Sequence, residues 1–264
     1  MISFVGAGPG AADLITLRGR DRLAAADVVV WASSLVPDAL LVHTRPGAEI
    51  HDSAGMTLED VLAVYASRPS AAIVRLHSGD PALYGAIGEQ IDWCLHNGRD
   101  FEIVPGVSSL AAGAAALGRE LTVPGVAQSV ILTRLPGRTA GSVPAGESLA
   151  ALAAHGVTMA LFLSGARPEE LQAQLLAGGG YSPSTPAAVV VRVTWPDEAV
   201  YETTVAELAA TIRRSGASRT VLVLVGEALA PAPDRAERSH LYSPQYAHAF
   251  RRRSAPGSTA GRPA

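Results

Sequence analysis

The sequence predicts an α/β protein of two domains, a mostly parallel sheet first and a mixed sheet second. Three observations carry this. Short apolar runs alternate with segments of helical periodicity through the first half. Those runs are apolar throughout, as in strands covered on both faces. Near Arg119–Gln128 (RELTVPGVAQ) the pattern breaks, and the series that follows admits polar residues around Asp197–Glu198, as an antiparallel pair would.

Taken in order, Ile2–Gly6 reads as the first strand, Thr16–Ala26 as a helix and Asp27–Ala32 as a β-branched strand. Thr57–Ser67 reads as a helix capped by Thr57, with Asp60 three residues on giving a pattern close to a capping box. Ala71–Leu76, Pro81–His96, Phe101–Val104 and Ser108–Leu117 continue the alternation as strand, helix, strand and helix. The second series holds strands in SVILTR, TMALFLSG, AAVVVRVTW and TVLVLVG. Its helices fall around Glu147–Ala154, Pro168–Ala177 and Val205–Ser215. These boundaries divide the chain into residues 1–120, 121–232 and a tail, 233–264. The tail is too poor in apolar residues to order fully, and its last dozen residues are expected to be disordered.

Composition narrows the function. With 48% hydrophobic and 17% charged residues, the chain can bury sizeable cores, and a net charge of −3 argues against a nucleic-acid surface. One cysteine, Cys94, leaves no thiolate zinc site. The histidines lack H-x-H or H-E-x-x-H spacing, so no metal is expected. No lysine is present, which removes both a P-loop lysine and Schiff-base chemistry. Neither a membrane span nor a signal segment is evident, so the expected location is the cytoplasm.

Three turns of small residues follow strands: GAGPG at Gly6–Gly10, SGDP at Ser78–Pro81 and PGVSS at Pro105–Ser109. The first fits a dinucleotide fingerprint poorly, because Ala11 stands where the third glycine belongs and the second strand ends in Ala32-Ser33-Ser34 without an acid. Ligands of open α/β sheets bind at the carboxyl ends of strands, so the trio is expected to converge on one crevice. The turns offer backbone amides, serines and one acid, Asp80, but no cation cluster, which excludes a triphosphate. Asp80 is also expected to cap the helix that follows, with Pro81 at its first position.

The series GAGPG, SGDPALYG and PGVSS resembles the tetrapyrrole methyltransferase family, the class III S-adenosylmethionine enzymes. SSLVPDALL, DSAGMTLED, ELTVPGVAQSVILTR, VRVTWPDE and LVGEAL extend the resemblance over residues 1–230, toward the members acting in cobalamin synthesis. The resemblance implies S-adenosylmethionine as cofactor, a cleft between two domains as active site, a homodimer and a small-molecule tetrapyrrole acceptor. The implied reaction is methylation of C11 of precorrin-4 to give precorrin-5. Cobalt-precorrin-4 or another tetrapyrrole of the family is the alternative acceptor. Matched position by position, the cofactor would meet Pro9, Ser78, Gly79, Asp80, Leu83, Tyr84, Ser108 and Ser109 in the first domain. In the second it would meet Leu163, Ala188 and Thr220. An acceptor bearing carboxylates suits arginine, and Arg75, Arg134 and Arg138 lie near the resembling motifs, with Ser53 and Met56 in a loop placed to cover it. His77, beside the SGDP turn, is the histidine closest to this chemistry. In-line transfer from a sulfonium needs alignment more than acid–base chemistry, so no catalytic side chain is assigned.

Overall fold

The computed structural model describes residues 1–136, 141, 143–231 and 239–263. The first domain holds five parallel strands: β1 (Ile2–Gly6), β2 (Val28–Trp31), β3 (Glu49–Asp52), β4 (Ile73–His77) and β5 (Phe101–Val104), in the order β3-β2-β4-β1-β5. Central β1 is buried at every residue. Ile2 and Phe4 face one cluster with Val28, Val30, Tyr65 and Cys94. Val5 faces the other with Leu23, Val29, Trp31 and Leu76. Helix α1 (Leu17–Ala25) covers the latter face, Thr16 accepting from the amide of Gly19 as its N-cap. Burial of a leucine such as Leu23 contributes about 2 kcal/mol, so these two faces dominate the domain's stability. Helix α2 (Leu58–Ala66) begins at the capping box of Thr57 and Asp60, and α3 (Gly88–His96) packs beside it.

The second sheet comprises β6 (Val130–Arg134), β7 (Thr158–Phe162), β8 (Pro186–Val191), β9 (Ala199–Thr204) and β10 (Val221–Val225), ordered β6-β7-β10-β8-β9. Only β6 and β7 are parallel; β7–β10, β10–β8 and β8–β9 are antiparallel. Helices α5 (Leu149–Ala153), α6 (Pro168–Ala177) and α7 (Leu208–Arg214) cover the face carrying Met159, Leu161, Val189, Val191 and Val223. The opposite face, with Ala160, Ala188, Val190, Leu222 and Leu224, receives Ala112 and Leu117 of α4 (Ser109–Leu117). The small-residue helix that leaves the PGVSS turn therefore packs on the second sheet and ties that turn to both domains.

Two expectations change, and one strand is new. The helix expected from Pro81 starts at Gly88, because Tyr84 and Ala86 take left-handed backbone, φ 58° and 49°, which no helix accommodates. Strand β3 carries no apolar pattern (Glu-Ile-His-Asp, mostly exposed) and owes its place to pairing along the edge of β2. The tail's last dozen residues are not featureless: β12 (Arg262–Pro263) pairs antiparallel with β11 (Arg251–Arg252). Arg251 donates to the carbonyls of Leu241, Ser243 and Tyr246, so this segment is organised by satisfied peptide groups rather than by apolar burial, the quantity composition reports.

Candidate active site

Strands β4, β1 and β5 are neighbours, so the three turns that leave their carboxyl ends meet. Gly8 and Gly79 pair through both amides, at 3.3 and 2.8 Å. Gly6 and Gly106 approach so closely that a Cβ on Gly6 would lie 2.5 Å from Cα of Gly106. Asp80 fastens the second turn to the third. One carboxylate oxygen accepts from the amide of Ala82 at 2.8 Å and the other from the amide of Gly106 at 2.9 Å. The expected helix cap is thus a turn cap and a clasp between loops, since α3 begins eight residues later. Ser108 is the N-cap of α4, accepting from the amide of Leu110 at 3.2 Å.

These turns form one wall of a cavity of about 380 Å³ between the domains. Pro9, Ser78, Gly79, Asp80, Leu83, Tyr84, Ser108 and Ser109 line it from the first domain, and Leu163 and Thr220 from the second. Ala188 does not: it is 1% exposed in the core between the second sheet and α4. Val190, two residues on along the same face of β8, lines the cavity instead. Sequence had the right face of that strand and the wrong depth, because the cavity opens only at its end.

The wall from the second domain is unusual in its backbone. Leu163 and Thr220 sit at φ 53° and 55°, and Tyr84 faces them at φ 58°. Such conformations in non-glycine residues cost about 1–3 kcal/mol each and persist where the surroundings impose them. All three residues line the cavity, and Leu163 is 67% exposed within its mouth. The ring of Tyr84 meets Phe162 across the domain gap, with centroids 5.5 Å apart, and burial raises the phenol's pKa above its ordinary value. Phe162, Val193 and Leu222 supply apolar surface, while Leu35, Gly165 and the Ser218–Arg219 turn complete the rim. None of these last residues was singled out in the sequence, although Leu35 and Val193 lie inside the resembling motifs; which residues of those stretches reach the cavity depends on the packing of two sheets.

The expected acceptor residues behave differently. Arg75 donates to Oγ of Ser53 at 2.8 Å and to the carbonyl of Val30 at 3.3 Å, and Ser53 donates to the carbonyl of Trp31 at 2.9 Å. Burial lowers the Arg75 pKa below its ordinary value. Met56 packs against the core of the first sheet. These three support the end of β2 from behind and are not among the residues lining the cavity. Arg134 closes β6, near enough to Tyr84 to influence its phenol electrostatically. Arg138 lies outside the described residues. His77 points into the core beside Phe4, 6.2 Å between ring centroids, and away from the cavity. Burial, reinforced by the nearby Arg75 charge, pushes its pKa down to about 3.

A second, wider cavity of about 950 Å³ opens on the other side of the Pro9 loop. The indoles of Trp31 and Trp195, with Ser33, Asp38, Arg192 and Asp197, line it. It shares the Pro9–Gly10 loop and the 33–39 segment with the first, so the two cavities are neighbours across two stretches of backbone.

The smaller cavity suits a compact ligand with a polar and an apolar half. Backbone amides and serine hydroxyls come from one domain, and Phe162, Val190, Val193 and Leu222 from the other.

Comparison with known proteins agrees with this architecture. The family model described as Tetrapyrrole (Corrin/Porphyrin) Methylases matches residues 1–209. A cobalt-precorrin-4 C(11)-methyltransferase of Priestia megaterium is 45% identical over 252 residues, covering 94% of this chain and 96% of that one. A precorrin-4 C(11)-methyltransferase of Mycobacterium tuberculosis is 44% identical, covering 92% and 96%. Among solved structures, a cobalt precorrin-4 methyltransferase superposes with TM-score 0.83 at 45% identity, covering 87% of this chain and 96% of that one. A uroporphyrin-III C-methyltransferase of Thermus thermophilus in complex with S-adenosylhomocysteine gives TM-score 0.71 at 27% identity, covering 86% and 92%. With the family model spanning the first sheet and four of the five strands of the second, and relatives alike over nearly their whole length, the chain belongs to the tetrapyrrole (corrin/porphyrin) methylases.

Proposed function

We propose that the chain methylates C11 of precorrin-4 to give precorrin-5, with S-adenosylmethionine held in the smaller cavity and the macrocycle in the wider one. One observation carries this reading: three side-chain-poor turns and the left-handed residues of the second domain enclose one cavity, directly beside a larger cavity flanked by two indoles. S-adenosylmethionine brings a methyl group already activated on a sulfonium. The chain's own residues then have to bind, align and dry. The glycine turns let backbone approach closely, Asp80 locks two of them together, and Phe162, Val190 and Leu222 exclude water. Alignment of this kind is worth up to about 7–11 kcal/mol of barrier, enough to leave a strong acid or base unnecessary. The acceptor is an electron-rich ring carbon and supplies its own nucleophile.

Relatives named for the cobalt-bearing and the cobalt-free acceptor match almost equally, at 45% and 44% identity, and the reading is made for the shared C11 transfer. Cobalt-precorrin-4 is the second reading. Incubation with methyl-labelled S-adenosylmethionine and each acceptor, followed by NMR location of the new methyl, tests both; a methyl elsewhere than C11 overturns the proposal. Arg134, at the end of β6 near Tyr84, is assigned to an acceptor carboxylate. Arg134→Ala is expected to raise the acceptor KM about tenfold while leaving the S-adenosylhomocysteine Kd within about twofold. Equal effects on both would remove Arg134 from the acceptor site. The reading includes a cytoplasmic homodimer, which light scattering of the purified protein checks for its oligomeric part.

A further inference from the structure

The turn between β8 and β9 is built in an uncommon way. Arg192 and Thr194 take φ 47° and 66°, and for a β-branched residue such as threonine that conformation is a genuine outlier. The turn is held from inside. The amide of Thr194 donates to Glu198 at 2.6 Å, Arg192 pairs with Asp197 at 3.0 Å, and the Arg192 guanidinium lies over the Trp195 ring, 4.4 Å from its centroid. It is also held from outside, at both walls of the smaller cavity. At its base the amide of Arg192 donates to the carbonyl of Thr220 at 2.9 Å. At its tip Nε1 of Trp195 donates to the carbonyl of Pro9 at 3.1 Å, and Oγ1 of Thr194 accepts from the amide of Ala11 at 2.9 Å. Gly10, between those two points, has no room for a side chain: a Cβ there would lie 2.3 Å from Cδ1 of Trp195.

We propose that this turn is a brace fixing the gap between the GAGPG loop and the Thr220 wall, with Thr194 and Trp195 as positioning residues for the donor cavity. Neither residue is assigned a contact with the donor. They act through Pro9 and Ala11, whose peptide groups they hold, while the same rigid turn grips Thr220 opposite. The backbone strain at Arg192 and Thr194 is what a short turn accepts when two fixed points dictate its span. The inference rests on the reading of the smaller cavity as the donor site.

The test is calorimetry with S-adenosylhomocysteine, in the absence of any acceptor, on the full chain. Wild-type binding establishes the donor-site reading; no binding would sink that reading and this inference with it. Trp195→Phe keeps an aromatic ring and removes the N–H, and Thr194→Val keeps the branched shape and removes the acceptor. Each is expected to weaken S-adenosylhomocysteine about three- to tenfold, the worth of one hydrogen bond. Thr194→Ser, which keeps the oxygen, is expected to stay within about twofold of wild type. A purely structural role would lower the unliganded Tm of the Phe and Val variants without this pattern in Kd. If wild type binds and both folded variants match its Kd within about twofold, the brace is overturned.

Discussion

Asp80 shows how little of this site is side-chain chemistry. Its two oxygens are occupied by the amides of Ala82 and Gly106, so its charge serves to hold turns together. Asp80→Ala leaves both amides without their acceptor and is expected to cost about 2–3 kcal/mol in denaturant unfolding, with S-adenosylhomocysteine affinity falling in parallel. Asp80→Asn, which keeps one oxygen, should lie between. His77 makes a separable statement about stability. Its folded pKa is about 3, against 6.5 in the unfolded chain, because burial and then the Arg75 charge disfavour the imidazolium. Between those values the unfolded chain binds the extra proton, so the contribution is complete above pH 6.5 and is lost as pH falls toward 3. Unfolding at pH 7.5 and 5.0 should show His77→Gln losing about 2 kcal/mol less than wild type over that interval. Equal losses would mean that the imidazole titrates normally in the fold.

Elements meet here at distances that only missing side chains allow. Gly6 closes β1 where β5 delivers Gly106, and a Cβ on Gly6 would face backbone atoms of Gly106 and Gly79, which cannot rotate aside. Gly6→Ala is therefore expected to destabilise by at least about 3 kcal/mol or to prevent soluble expression, as urea unfolding or yield will show. This part of the architecture was legible in the sequence, because glycine-rich turns after apolar runs are local signals. The Thr57 cap and the full span of α6 were legible for the same reason. Edge strand β3 was not, since its pairing leaves no pattern in Glu-Ile-His-Asp. Nor was the late start of α3, because the positive φ of Tyr84 and Ala86 runs against the preference of both residue types. Ala188 marks the same limit: the resemblance pointed to β8, but which residue reaches the opening depends on where the second sheet stops against the first.

For the whole molecule, the cavity between domains makes ligand binding and domain association one event. Ten of the residues singled out for the cofactor line it from turns of both domains, and α4 carries Ser108 and Ser109 at its start while packing Ala112 and Leu117 on the second sheet. S-adenosylhomocysteine at about one hundred times its Kd should add about 2.7 kcal/mol to unfolding. For a chain of this size that is a rise of about 5–10 °C in Tm. Trp31 and Trp93 report on the first domain and Trp195 on the second, so fluorescence of single-tryptophan variants shows whether the rise is shared. A rise confined to one domain would place the ligand outside the interdomain cavity. The curvature of the walls has a last consequence. At Leu163, Thr220 and Tyr84 the cavity wall is shaped by main chain that bends the wrong way, and every amino acid owns a main chain. Residue-by-residue truncation would consequently leave much of this pocket's recognition untouched, and its tolerance to such a survey would be mistaken for unimportance. Replacing single amides by esters at these bends is the perturbation to which it is sensitive.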